Sequence, residues 1–335
     1  MDEEKQILEK LAREGTGCAV QDISPIRAHG SARRIYRVML SGGKSVVGVY
    51  NEAVPENTAF IAFARSFRSV GLNVPQIFAT DGKCAYIETD LGDITLMDRL
   101  IGERSDPAQY PGSSELYAGA VDDLVGFQTK GLAIIDRSLC YQGDRFDAAA
   151  IERDVRYFLT EYLARVGLYD GTDDYEEDIA ELRTYGENYE QGYFMFRDYQ
   201  ARNIMVLDGS LWYIDFQSGR EGPLQYDLAS LLFQSQANLS FDLREELLGR
   251  YLSMLGKVMP VDESRFRSRF LVYVLIRALQ NLGAYGKLGL GQGKQYFTNA
   301  IPFALDNCRY LLRNWPNILS ARKLRSTLER AVRDA

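Results

Sequence analysis

Residues 196–216 read "FRDYQARNIMVLDGSLWYIDF" and place three aspartates, an asparagine and two arginines among strongly apolar neighbours. Asp198, Asn203 and Asp215 each lie beside hydrophobic residues. Burying a carboxylate without a partner is costly, so a stretch of this kind needs something to offset its charge. "NIMVLD" and "LWYIDF" are two short β-rich pieces and predict a hairpin. Asp and Asn taken singly are ordinary turn residues. What needs explaining is the spacing of all three.

That spacing, D-x-x-x-x-N, then a hairpin, then D-F, matches the chemistry of kinase-type phosphoryl transfer. Moving a γ-phosphoryl group needs little covalent help. It needs charge neutralised and reactants aligned. In this reading Asp215 offers an anionic oxygen and Asn203 an amide oxygen to Mg²⁺, a hard cation that prefers oxygen ligands. Asp198 accepts or orients the proton of the substrate hydroxyl. The bound ion offsets the buried carboxylates.

Working outward, the segment before the stretch divides in two. Leu8 and Leu11 mark an opening helix. "RRIYRVML" and "SVVGVYN" are β-rich runs joined by "SGGK", whose Gly-Gly predicts a hairpin turn. "ENTAFIAFARSFRSVG" has helical spacing at Phe60, Phe63, Ala64 and Phe67 and stops at Gly71. "VPQIFA" and "CAYIETDL" are two more strands. From about residue 94 the pattern is mainly helical. "SSELYAGAVDDLVGFQTKG" has a capping serine and a Gly end, "IERDVRYFLTEYLARVG" is amphipathic, and 225–257 and 264–285 predict further helices. The expected fold is therefore α+β and bilobal. A β-rich nucleotide-binding lobe over 1–92 precedes a helical catalytic and substrate-binding lobe over 93–335, with the ligand between them.

Composition narrows the function classes. The 335 residues are 46% hydrophobic and carry a formal charge of −7. With no long basic run, nucleic acid and membrane surfaces are poor partners. Cys18, Cys84, Cys140 and Cys308 are far apart and read as reduced, mostly buried cysteines. His29 is the only histidine, so a His-rich metal site is excluded. The charged amphipathic start is no signal peptide, and the most apolar run is interrupted by Arg277; a cytoplasmic protein is expected. "GKLGLGQGK" (286–294) lacks P-loop spacing and reads as a turn, and "SARKLRSTLERAVRDA" reads as a packed terminal helix.

"GPLQYDLASLL" (222–232) completes a pattern that resembles the aminoglycoside phosphotransferase and choline kinase family, whose fold is protein-kinase-like. The likeness is greatest to the N-acetylmuramate/N-acetylglucosamine kinase branch. "GSARRIYRV" (30–38) looks like its nucleotide-loop strand and "YIETDLGDITL" (86–96) like its hinge. "RDYQARNIMV", "YIDFQSGREGPLQYDLASLL" and "NLGAYGKLGLGQGKQYF" follow in family order. The resemblance covers nearly the whole chain. It implies ATP as co-substrate, Mg²⁺ at Asn203 and Asp215, and catalysis by Asp198. It further implies nucleotide contacts from Gly30, Ser31, Arg34, Glu88 and Asp90, and a buried bracing role for Asp227. The acceptor it implies is a small molecule, an amino sugar attacked through its anomeric hydroxyl, with no obligate protein partner.

Two positions depart from that pattern. Phe196 stands where the family has a bracing His. "SVVGVYNEA" lacks the usual strand Lys; Arg33, Arg34 and Lys44 are the candidate replacements, and Arg34 shares strand parity with Tyr36 and Val38. Glu56 is a candidate partner for that cation. The missing Lys favours an alternative reading, a pseudokinase-like nucleotide-binding regulatory module. A kinase for an aminoglycoside or choline-like cation is a second alternative.

Overall fold

The computed structural model describes residues 2–26, 33–109, 112–315 and 319–333. Helix α1 (Asp2–Thr16) precedes strands β1 (Val20–Ile26), β2 (Arg34–Leu40) and β3 (Ser45–Tyr50), then α2 (Val54–Ser69), β4 (Ile77–Thr80) and β5 (Ala85–Thr89). The five strands form one antiparallel sheet in the order β1-β2-β3-β5-β4. The β2–β3 turn has Gly42 and Gly43 at φ +84° and +76°, a conformation glycine adopts without steric cost. β1 is not evident from the sequence because "VQDISPI" mixes polar residues and a proline. It is an edge strand, where a missing N–H is tolerated.

Strand parity gives the sheet two different faces. Tyr36, Val38, Leu40, Val46, Ala85 and Ile87 bury against Leu8, Leu11 and Ala12 of α1. On the other face the rows Ile35–Val49–Tyr86 and Arg37–Val47–Glu88 run across β2, β3 and β5. That face looks onto α2 and the rest of the molecule; Phe60 of α2 lies 5.4 Å from Tyr86, ring to ring.

The remainder is mainly helical: α3 (Leu96–Ser105), α4 (Ser113–Ile134), α5 (Ala148–Phe158) and α6 (Glu176–Glu187), then α7 (Leu224–Leu232), α8 (Phe241–Gly256), α9 (Glu263–Tyr285), α10 (Gln295–Thr298), α11 (Ile301–Arg313) and α12 (Arg322–Arg333). Between α6 and α7 lie four short strands, β6 (Phe194–Met195), β7 (Ile204–Leu207), β8 (Ser210–Tyr213) and β9 (Arg220–Glu221). β7 pairs with β8, and β6 with β9. The loop 196–203 therefore runs from β6 into β7, and the loop 214–219 from β8 into β9. The two ladders hold both loops side by side. Among the described residues no helix is long and apolar enough to cross a membrane.

Several expected boundaries shift for physical reasons. No serine caps α4: Gly112 is its N-cap, and the N–H groups of Gly112 and Ser113 donate to the Glu103 carboxylate at 3.2 and 3.1 Å. Gly131 does not end that helix. It lets Phe194 approach so closely that a Cβ there would sit 2.9 Å from the ring. The expected helix over 225–257 is two helices, α7 and α8, the second started afresh by Ser240, which caps it. Glycines in "GKLGLGQGK" serve close packing in a π-helical turn, Gly286–Gly291, and a Cβ on Gly286 would lie 2.1 Å from the Glu161 carbonyl oxygen. All four cysteines are free; Cys140 and Cys308 are buried, while Cys18 and Cys84 are half-buried.

Candidate active site

The loop 196–203 is held from below. Asp227, fully buried in α7, accepts the backbone N–H groups of Phe196 (2.6 Å) and Arg197 (2.9 Å). Burial pushes its carboxyl up to about 7, against the pull of those two N–H groups and of Arg277. Arg197 sits at φ +80°, a left-handed conformation that costs a side-chain-bearing residue roughly 1–2 kcal/mol. Its side chain turns away from the cleft, onto both oxygens of Asp154 at 3.1 Å and onto the Tyr226 hydroxyl, between the rings of Phe146 and Tyr226. This anchoring places Asp198 at the crest of the loop, its side chain 32% exposed toward the cleft.

Asn203 ties that loop to the next. Its Nδ2 donates to the Asp198 carbonyl oxygen (2.9 Å) and to Asp215 Oδ2 (3.3 Å). The amide is thereby oriented, with Oδ1 left for a ligand. Asp215 is at φ +68°, and the adjacent Phe216 fixes it by stacking on Phe60 of α2 with ring centroids 4.6 Å apart. Asp215 and Asn203 are thus side by side, and each carries an oxygen donor of the hard type that suits Mg²⁺. Among the described residues no cluster of three His, Cys, Asp or Glu side chains has metal-binding geometry. A kinase-type Mg²⁺ does not require one, because phosphate oxygens complete its shell.

From the small lobe the site is closed by Arg33. Its Nη1 donates to Asp215 Oδ1 at 3.1 Å, and its Nη2 pairs with Glu56 at the start of α2. Gln217 bridges the same two carboxylates, donating to Asp215 at 2.9 Å and to Glu56 at 3.2 Å. Asn51 donates to the other Glu56 oxygen at 3.2 Å. Burial opposes the charge of Arg33, but Asp215, Tyr86 and Glu56 outweigh it and hold the guanidinium above its usual value.

The other residues expected on the nucleotide side fall in different places. Arg34 points to the opposite face, toward Glu4 (3.0 Å) and Glu52 (3.2 Å), and lies over the Tyr50 ring. Its parity with Tyr36 and Val38 is parity with the face that α1 covers. Asp90 is engaged by Arg37 (2.8 and 3.2 Å) and Ser45 (2.7 Å), joining β2 and β3 to the crossing between lobes. Glu88 lies on the cleft face in the row of Arg37 and Val47. Burial pushes its carboxyl up to about 8, and its Oε2 has no hydrogen-bond partner among the described residues. Lys44 is exposed at the hairpin turn. Gly30, Ser31 and His29 lie outside the described residues.

Sequence reasoning did not assign Gln217, Asn51 or Tyr226 to this network, and no spacing marks them. Arg33 did leave a signal. Alternation along "RRIYRVML" puts it with Ile35 and Arg37, opposite the apolar set Tyr36, Val38 and Leu40.

A five-stranded sheet above a helical lobe, with Asp198, Asn203 and Asp215 at the seam, defines a protein-kinase-like phosphotransferase. Residues 22–267 match the pattern of the phosphotransferase enzyme family, and the chain belongs to that family. It is a small-molecule kinase by class. Among its relatives, an N-acetylmuramate/N-acetylglucosamine kinase of Pseudomonas aeruginosa is 25% identical over 291 residues, covering 84% of this chain and 81% of that one. A protein of the same name from Neisseria meningitidis serogroup B is 23% identical over 306 residues, covering 89% and 87%. The fold is also that of a choline/ethanolamine kinase family protein from Mesorhizobium loti, at TM-score 0.60 and 14% identity over 99% of both chains. A spectinomycin phosphotransferase shares it at TM-score 0.60 and 12% identity, over 90% of this chain and 93% of that one.

Proposed function

We propose that the protein transfers the γ-phosphoryl group of ATP to the anomeric hydroxyl of an amino sugar. The observation that carries the transfer chemistry is the convergence of Asp198, Asn203 and Asp215, joined through Asn203 Nδ2 at 2.9 and 3.3 Å and closed by Arg33 on Asp215 at 3.1 Å. The relatives named as N-acetylmuramate/N-acetylglucosamine kinases support the acceptor class.

In this reading residues 1–92 serve the nucleotide and 93–335 the acceptor and the chemistry. Gly30, Ser31 and Glu88 are assigned to the nucleotide, and Arg33 takes the phosphate-facing role first given to Arg34. Asp90 supports the crossing between lobes. Asp215 and Asn203 hold Mg²⁺, which supplies charge neutralisation to the phosphates when bound. Asp198 takes the acceptor proton as the acceptor oxygen bonds to the γ-phosphorus and the bond to ADP breaks. An anomeric hydroxyl is more acidic than an ordinary alcohol and so demands less of this base.

The test is a panel with Mg-ATP: free N-acetylglucosamine and N-acetylmuramate, their 1-O-methyl glycosides, aminoglycosides and choline. Transfer to the free sugars and none to the glycosides is expected, with a sugar 1-phosphate seen by phosphorus NMR. Phosphate on another oxygen of a glycoside would overturn anomeric attack and leave the kinase assignment standing. Turnover of aminoglycosides or choline alone would move the acceptor to a cation. Binding of Mg-ATP with no transfer to any acceptor would favour a regulatory module.

A further inference from the structure

Beneath the loop 196–203 lies an arginine that the chemistry above does not use. Arg277, in α9, is 2% exposed and has buried neighbours Ile276 and Ala278. Its Nη1 donates to the Tyr226 hydroxyl and to Gln280 Oε1, both at 3.1 Å, and its guanidinium lies 5.2 Å from the centroid of the Tyr226 ring. Its Nε and Nη2 have no hydrogen-bond partner among the described residues. Nη2 is 3.9 Å from Asp198 Oδ1, within ion-pair reach and beyond a hydrogen bond.

A buried cation with idle donors is costly, and an apolar side chain of similar length often serves packing better. The charge therefore needs a purpose beyond packing. The other groups near Asp198 are already committed. Arg197 has Nη1 on Tyr226 and Nη2 on Asp154, Asp227 accepts two backbone N–H groups, and Asn203 engages the Asp198 carbonyl and Asp215. Arg277 Nη2 is enclosed and faces Asp198 rather than open solvent. What it can reach is the inner oxygen of Asp198.

We propose that Arg277 is the positioning residue for Asp198. Its Nη2 donates to Oδ1 in the working complex, turns that oxygen inward and leaves Oδ2 aimed at the acceptor hydroxyl. Tyr226 and Gln280 hold the guanidinium in place for this. Phe196, which cannot brace the loop by hydrogen bonding from its side chain, is consistent with a brace supplied from α9. The inference rests on Asp198 being the carboxylate that takes the acceptor proton.

The experiment is a double-mutant cycle of wild type, Asp198→Asn, Arg277→Met and the double variant, with Mg-ATP and N-acetylglucosamine. Arg277→Met should lower kcat by roughly 10–100-fold, within the range of positioned acid–base groups, with KM for ATP within about twofold. In the Asp198→Asn background it should cost nothing further, because a residue acting only through Asp198 has nothing left to position. Arg277→Lys and Arg277→Gln separate charge from packing, Lys being expected to retain clearly more kcat than Gln at similar melting temperature. Additive losses in the cycle, or equal kcat for the Lys, Gln and Met variants, would overturn the inference and leave the kinase reading intact. An unaffected Asp198→Asn, or a wild type without transfer, would overturn the proposed role of Asp198 and this inference with it.

Discussion

Replacing Arg33 by Met tests whether the cation missing from β3 is supplied by the residue just before β2. Met keeps much of the length and removes the charge. Two charge-assisted hydrogen bonds vanish, one to Asp215 and one to Glu56. Such bonds are each worth about 1.5–3 kcal/mol. Asp215 is 35% exposed and Glu56 23%, so water screens both and the low end applies, about 3–4 kcal/mol together. If Arg33 carries that interaction onto the nucleotide phosphates in the transition state, kcat/KM for ATP falls roughly 10²–10³-fold. Arg34→Met is the matched control. Arg34 lies on the α1 side of the sheet with Glu4 and Glu52, where solvent screens its pairs, and its loss should stay within about threefold. The assay is ADP release at varied ATP with a sugar the protein turns over, alongside circular dichroism to confirm folding. An Arg33→Met variant within about fivefold of wild type, or a larger loss from Arg34→Met, would refute the reasoning.

Three further outcomes are expected. ATP should raise the melting temperature more with Mg²⁺ than with EDTA, since a ligand bound only by the folded state stabilises it; Asp215→Ala should abolish most of the Mg²⁺-dependent part, and an unchanged gain would remove Asp215 from the metal site. Asp227 has its folded pKa raised to about 7, so its contribution is fully present below its ordinary carboxylate value and is lost as pH rises through about 7. Denaturant midpoints from pH 4 to 8 should therefore show wild type losing up to about 4 kcal/mol relative to Asp227→Asn, and parallel profiles would contradict the buried-carboxyl account. Gly286→Ala should cost about 1–3 kcal/mol in stability, because its Cβ would meet backbone at Glu161 rather than a movable side chain; a neutral result in urea unfolding would show that the turn Gly286–Gly291 can draw away from Glu161.

The fold was legible where the pattern was local. Alternation in "RRIYRVML" and "SVVGVYN", the Gly-Gly turn and the apolar spacing in α2 each depend on a few adjacent residues, and each element formed as read. Legibility failed where a distant group decided the outcome. The α4 N-terminus is capped by Glu103 rather than by its own serine, Gly131 stays helical because Phe194 packs on it, and β1 exists because an edge strand needs only one partner. The reading of 225–257 as one helix failed differently. Helical periodicity continues across the break, while the break itself depends on Asn238 at φ +40° and the cap at Ser240.

The site divides along the same line. Asp198, Asn203 and Asp215 come together as their spacing predicts because a short loop and the β7–β8 hairpin tie distance in space to distance in sequence. The cation that faces them has no such constraint, since it arrives from another lobe and the requirement is for charge at a point, not for a given strand. A lysine on the cleft face of β3 would replace Val47 or Val49, both packed in the core shared by the lobes. Arg33 reaches the same point from one strand further away without disturbing them. Its forked head also does what a single ammonium does less well, taking Asp215 with one nitrogen and Glu56 with the other, so that α2 and the loop 214–219 are joined through one side chain. Strand parity, rather than the motif, therefore distinguishes Arg33 from Arg34. Arg34 opens β2 and Arg33 immediately precedes it, so the two point to opposite faces, and the apolar run Tyr36, Val38 and Leu40 already determines which face α1 covers.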